Sequence, residues 1–176
     1  LGLPAAAIAV TFPALLPAQH LLANAGSIQF RAHFLVAMLA YSLFTLAALH
    51  AVLMAIAEKR LHKGRLTPLL ASLPPLLTME ALLFRLIHIA FALLTLTLAS
   101  GVLFSESLFG KAMTLNHKTV FAILSWFIFA HLLAGRHFRG WRGRKALRWT
   151  LAGFGALLLA YVGSRFVLEV LLGRVT

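Results

Sequence analysis

The chain has 176 residues, 61% of them hydrophobic and only 11% charged, with a mean hydropathy of +0.94. Soluble domains carry about 25% charged residues, so a water-soluble globule is excluded, and apolar runs that are continuous rather than alternating exclude a membrane barrel in favour of helices. Sixteen Lys and Arg against four Glu and no Asp give a net charge of +12, but these charges lie between the apolar runs, where loop-charge bias accounts for them without nucleic acid as a partner.

There is no cysteine, which removes disulfides, thiolate metal sites and thiol redox chemistry from consideration. No Walker loop, GxSxG, HExxH or paired carboxylate occurs, so the chain is not expected to be an enzyme. The first residue is Leu1 rather than Met and the opening run has no basic n-region, so it does not read as a signal peptide. The numbering is expected to start inside a longer protein.

Residues 1–18 are apolar but carry Pro4, Pro13 and Pro17, and form the first expected membrane segment. Residues 19–32 read as a connection or a short interfacial helix. Segment 32–57 lies between Arg31 and Glu58 and has 26 residues without Lys, Arg or an acid, enough to cross a hydrocarbon core of ~30 Å with some tilt. Ala37, Ala40, Ala47, Ala48 and Ala51 give it a small-residue face for close helix packing. A basic loop, EKRLHKGRL (58–66), and a proline-containing stretch lead into segment 82–105. The polar interval 100–118 then contains Glu106, Lys111, Asn116, His117 and Lys118 at the mouths of two spans. Segment 118–135 follows, short but usable if its flanking Lys and Arg snorkel. A second basic loop, GRHFRGWRGRKALR (135–148), precedes segment 148–172, in which Arg165 and Glu169 stand four apart as a self-neutralising pair. Trp141 and Trp149 read as interfacial anchors, and Trp126 lies mid-span. The expected fold is all-α: one integral membrane domain over residues 1–176, a polytopic transmembrane helix bundle of about five segments in a lipid bilayer.

Eleven of the sixteen Lys and Arg fall in the two basic loops and at Arg85, against Arg31, Lys111, Lys118 and Arg174 on the opposite side. The basic loops are therefore expected in the cytoplasm and the 100–118 interval outside.

Eight histidines are present, and their depths group them. His33 and His117 open different spans at the outer side. His50, His88 and His131 are expected to share a layer near the cytoplasmic surface, within ~5–10 Å of it by helical rise. His20, His62 and His137 fall in connections and are expected to be solvated. Neutral imidazole ligates iron and is costly to leave unsatisfied in lipid. Each histidine thus reads either as an iron ligand or as an interhelical hydrogen-bonding or interfacial residue.

RAHFLVAMLAYSLF (31–44), with His33 eight residues before Tyr41, resembles the helix that carries the first conserved histidine of the cytochrome c assembly proteins, the CcsA/CcmC-type haem-handling membrane proteins. FRLIHIAFALLTLTLASGVLFSE (84–106), including its Ser-Gly exit, resembles the next helix of that family. NHKTVFAILSW (116–126) falls where the family has the end of its tryptophan-rich motif and the following helix. The likeness covers about residues 30–170 and is greatest to the short bacterial YpjD-like branch. Three positions depart from the family pattern. AMTLNHK has no Trp, no histidine stands near Leu172, and His131 is one turn from the buried histidine position, which is Ala134 here. The resemblance implies a bacterial inner-membrane protein that binds or handles haem on its outer side, alongside other membrane or cytochrome c maturation proteins. It places His33 as an iron ligand with Tyr41 nearby, makes His117 the replacement partner at the same depth, and leaves Lys118 to pair with a propionate. Two other readings stand beside it. One is a dihaem cytochrome b-like electron carrier using the inner trio as a second site; the other is a haem-free scaffold or partner-binding subunit.

The orientation has a direct check. In the cysteine-free background, Gly64→Cys is expected to be shielded from an impermeant thiol reagent in intact cells, and Ser107→Cys to react. Labelling of the Gly64→Cys protein from outside would reverse the assignment.

Overall fold

The computed structural model describes residues 27–62, 74–103 and 117–166. The expected segment 1–18 lies outside the described residues, as do His20, Glu106, Lys111, Asn116 and Glu169. The described residues form four helices and no strand: α1 (Ile28–His62), α2 (Leu76–Leu103), α3 (His117–Arg139) and α4 (Gly143–Phe166). Three of these, α1, α2 and the stretch Lys118–Arg139 of α3, are long and apolar enough to cross a membrane.

Local chemistry sets where these helices begin and end. The Ser27 hydroxyl accepts the N–H of Phe30 at 3.2 Å and caps the start of α1. Pro74 and Pro75 precede α2, and the Pro75 carbonyl accepts the N–H groups of Thr78 (2.9 Å) and Met79 (3.1 Å). Lys59 and Arg60 lie in the last turn of α1, and Arg136 and Arg139 in that of α3, cations placed at the negative end of the helix dipole. Inside the spans the hydroxyls of Ser42, Thr45, Thr95 and Thr97 each donate to the carbonyl four residues earlier, all at 2.8 Å. No hydroxyl in this set is left to face lipid alone.

The helices overrun the expected segments by one to two turns. α1 covers 28–62 rather than 32–57, and α2 starts at Leu76 rather than 82. Charged residues mark where a helix leaves the hydrocarbon, and the backbone ladder continues past them into the interface.

α1 packs on α2, α3 on α4, α1 on α4 and α2 on α3, so the four helices form an antiparallel ring. Because the solvent of the outer surface is itself apolar, size rather than polarity separates inside from outside. Ala40, Ala47, Ala48, Ala51 and Ala57 of α1 are buried, while Leu35, Leu39, Leu46 and Leu49 point outward. The small-residue face expected of this segment is thus its packing face. At the centre Phe44 of α1 stacks on Phe129 of α3 with ring centroids 4.1 Å apart. Gly153 of α4 makes room for this pair, since a Cβ there would come within 2.8 Å of the Phe129 ring. Beside it the buried Ser125 hydroxyl donates to the Gly153 carbonyl at 2.9 Å.

One end of the ring is held by carboxylates. Glu80 of α2 has a side chain only 8% exposed, and its Oε1 accepts Arg136 Nη1 of α3 at 2.7 Å and Arg142 Nε at 3.1 Å. Its Oε2 accepts the N–H of Gly143, the first residue of α4, at 3.1 Å. Arg136 also donates to the Trp141 carbonyl (3.2 Å) and lies 4.5 Å from the centroid of the Phe84 ring. The turn that Glu80 holds needs glycine at Gly140 and Gly143, whose φ values of 61° and 54° are left-handed. Within it Trp141 folds back onto α3, its N–H reaching the Gly135 carbonyl at 3.1 Å. A Cβ on Gly135 would fall inside the Trp141 indole. Trp141 is therefore buried rather than an interfacial anchor, because the missing side chain of Gly135 leaves a slot for it. A second carboxylate, Glu58 of α1, pairs with Arg144 of α4 at 2.9 Å.

The two ion pairs differ in burial, and so in expected cost. Glu80→Gln leaves Arg136 and a backbone N–H facing a neutral amide, and is expected to cost about 2–4 kcal/mol, somewhat below a fully enclosed pair because Arg142 is well exposed. Glu58→Gln disrupts a pair whose arginine is 67% exposed, and is expected to cost about 0–1 kcal/mol. Unfolding of the purified protein by titration with a denaturing detergent measures both. Equal costs would contradict the clamp at Glu80.

Candidate functional site

The antiparallel ring places the start of α1, the end of α2 and the start of α3 at the end of the bundle opposite Glu80. His33 lies in the second turn of α1, half-buried against α2. Its Nδ1 is 2.7 Å from the Ser100 hydroxyl oxygen. The ring also lies over Gly101 of α2, with room between them for a methyl group, which would meet the His33 Cε1 at an ordinary 3.6 Å. Ser100 Oγ in turn donates to the Thr97 carbonyl at 3.1 Å. A hydroxyl has one proton. When that proton is directed at Thr97, Oγ accepts from His33, Nδ1 carries the imidazole hydrogen and Nε2 the lone pair; when it is directed at His33, Nδ1 accepts and Nε2 carries the hydrogen. The first is the tautomer in which a histidine ligates a metal through Nε2 while its other nitrogen is held by a neighbour.

The other expected outer-side residues are placed less closely. His117 is the first residue of α3, at the same end of the bundle as His33. Lys118 follows it on the exposed surface. Tyr41 is half-buried and packs against the hydrophobic core. Eight residues of helix put it ~12 Å further along α1 than His33, so the structure does not bring the two together.

The inner histidines each make a contact of their own. His50 Nε2 donates to the Met79 carbonyl at 2.9 Å, tying α1 to the first turn of α2. His88 lies nine residues beyond Met79, ~13 Å along the same helix, and its Nδ1 donates within α2 to the Phe84 carbonyl at 2.7 Å. His131 lies on the outer surface between two indoles, its ring centroid 5.0 Å from that of Trp141 and 4.8 Å from that of Trp149. Among the described residues no three or more His, Asp or Glu gather to hold a metal ion. His62 bonds the Glu58 carbonyl of its own helix at 2.9 Å, and His137 is exposed.

Trp126, mid-span in the sequence, joins α3 to α2. Its indole N–H donates to Thr95 Oγ1 at 2.9 Å, and the ring stacks on Phe91 with centroids 5.5 Å apart. Two contributors were not singled out in the sequence. Ser100 appeared only as part of a Ser-Gly exit, and its spacing from His33 carries no signal because the contact spans 67 residues. Glu80 is one of only four acids in a chain with sixteen Lys and Arg, and that scarcity is the signal that each acid needs a partner. Arg165 lies in α4, but its partner Glu169 is outside the described residues.

Residues 3–172 match the model of the family described as cytochrome C assembly protein. The chain is 34% identical over 152 residues to the inner membrane protein YpjD of Escherichia coli (strain K12), an alignment covering 86% of this chain and 56% of that protein. It is 35% identical over 159 residues to an uncharacterized 28.8 kDa protein in the nifR3-like 5′ region of Azospirillum brasilense, covering 89% of this chain and 58% of that protein. Over 92 residues it is 31% identical to the cytochrome c biogenesis protein CcsA of Gloeobacter violaceus, covering 52% of this chain and 27% of that protein. The chain thus spans a little over half the length of the first two relatives. No solved structure matches it. The sequence resemblance, the helical membrane architecture and a family match over nearly the whole chain agree: this chain belongs to the cytochrome c assembly protein family.

Proposed function

We propose that the chain binds or handles haem at the end of the bundle where α1 and α3 begin, without catalysing a reaction of its own. The observation that carries this reading is the state of His33. Ser100 meets its ring at Nδ1, so Nε2 is the nitrogen that would hold iron. His117 opens α3 at the same end and is the best-placed second ligand. The exposed Lys118 beside it supplies a point charge for a propionate. Haem, when bound, supplies an iron with axial positions for imidazole and two carboxylates for cations. Relatives that are cytochrome c biogenesis proteins support haem as the molecule handled, and YpjD of Escherichia coli supports the bacterial inner membrane as the place. The distribution of Lys and Arg puts the His33 end on the outer side and the Glu80 end in the cytoplasm. Other cytochrome c maturation proteins are the fitting partners at that outer face.

The test is the absorption spectrum of the full-length protein loaded with haem. His33→Ala and His117→Ala are each expected to abolish or shift a low-spin bis-histidine spectrum. Ser100→Ala keeps both ligands but removes the group that orients one, and is expected to weaken haem affinity about 10- to 100-fold. His62→Ala and His137→Ala are expected to leave the spectrum unchanged. Loss of haem only on changing His50, His88 or His131 would move the site to the other end of the bundle. A haem spectrum that ignores the changes at His33, His117, His50, His88 and His131 alike would contradict histidine ligation outright. Two reducible haems would favour an electron carrier, and failure to bind haem a scaffold.

A further inference from the structure

A groove of about 380 Å³ opens between the last turns of α1 and the first turns of α4, at the Glu80 end of the bundle. Its floor is apolar, formed by the buried Leu147 and by Leu151, which is 38% exposed. Its rim is cationic, with Lys59 from α1 and Arg144 and Arg148 from α4. The one carboxylate on the rim, Glu58, is already taken by Arg144 at 2.9 Å. That leaves Lys59 and Arg148 exposed, with no ion-pair partner among the described residues. Leucines below and unpaired cations above, at the membrane end of two packed helices, match one kind of molecule in two places. Acyl chains fit the floor, and a phosphate fits the rim.

We infer that this groove binds an anionic phospholipid of the adjacent leaflet. The headgroup phosphate lies between Lys59 and Arg148, and an acyl chain runs down over Leu147 and Leu151. A soluble anion would use the cations and gain nothing from the leucines. A zwitterionic lipid would bring an ammonium into the same cationic rim. With a lipid seated there, the α1–α4 contact is held from outside as well as by Glu58 and Arg144. The inference does not depend on haem binding at the opposite end.

The test uses the full-length protein in phosphatidylcholine nanodiscs, with phosphatidylglycerol added in steps and its retention read by native mass spectrometry. Preferential retention of phosphatidylglycerol is expected. The double change Lys59→Gln with Arg148→Gln is expected to weaken it about 30-fold, from roughly fivefold per cation near the membrane surface. A control double change of equal charge outside the groove, Arg60→Gln with Arg139→Gln, is expected to change it less than about threefold. Equal losses in the two variants would mean diffuse attraction to a basic surface and overturn the site. Equal retention of phosphatidylcholine would do the same. Competition by glycerol 3-phosphate or inorganic phosphate at similar concentration would make it a soluble-anion site and overturn the lipid assignment.

Discussion

A carboxylate removed from water must be met by donors in place, because the cost of desolvating it is returned only when its partners are correctly positioned. Glu80 is in this position. Its two oxygens take two arginines and a backbone N–H, and these come from the end of α3, the turn and the first residue of α4. The start of α2 is thereby fixed to both members of the α3–α4 pair. Twenty residues along the same helix, ~30 Å away, Ser100 holds His33 of α1. α2 therefore acts as a beam: one polar contact at each end sets its register, and small-residue packing against α1 fills the length between. A shift of α2 by one turn would separate Glu80 from its arginines and Ser100 from His33 together.

The stretch between those ends has little polarity with which to specify a partner. Outside and inside are both apolar, so the helices are arranged by volume. Alanines line the α1 interior, leucines face outward, and Gly153 accepts the edge of Phe129. Such packing gains dispersion energy from close approach rather than from removing surface from water. A few hydrogen bonds give it direction: Ser125 to the Gly153 carbonyl, Trp126 to Thr95 and His50 to the Met79 carbonyl. Each crosses between helices, and together with the Glu80 contacts they fix the order of the ring.

This explains which parts of the molecule were legible in the sequence. Three of the five expected spans were, because hydrophobic length is a local property. The histidine helix was, because RAHFLVAMLAYSLF keeps its spacing within one segment. Helix ends were misjudged by one or two turns because charges report the interface and not the last hydrogen bond. The partners of Glu80 were invisible because its arginines are 56 and 62 residues away, a separation that no periodicity records. Trp141 resembled an anchor because aromatic residues beside basic ones usually are anchors. Only the structure shows that Gly135 leaves a slot for its ring. Ser100 was half legible, visible as a helix exit but not as the group that meets His33 at Nδ1.

The central claim is that His33 faces iron through Nε2 while Ser100 holds Nδ1. The most direct measurement is the anomalous scattering of iron in crystals of the haem-loaded full-length protein, recorded on both sides of the iron absorption edge. The account predicts one iron peak within coordination distance of His33 Nε2, at the end of the bundle shared with the start of α3. An iron peak beside His50, His88 or His131, or one at the His33 end with the imidazole turned so that Nδ1 faces the metal, would contradict it.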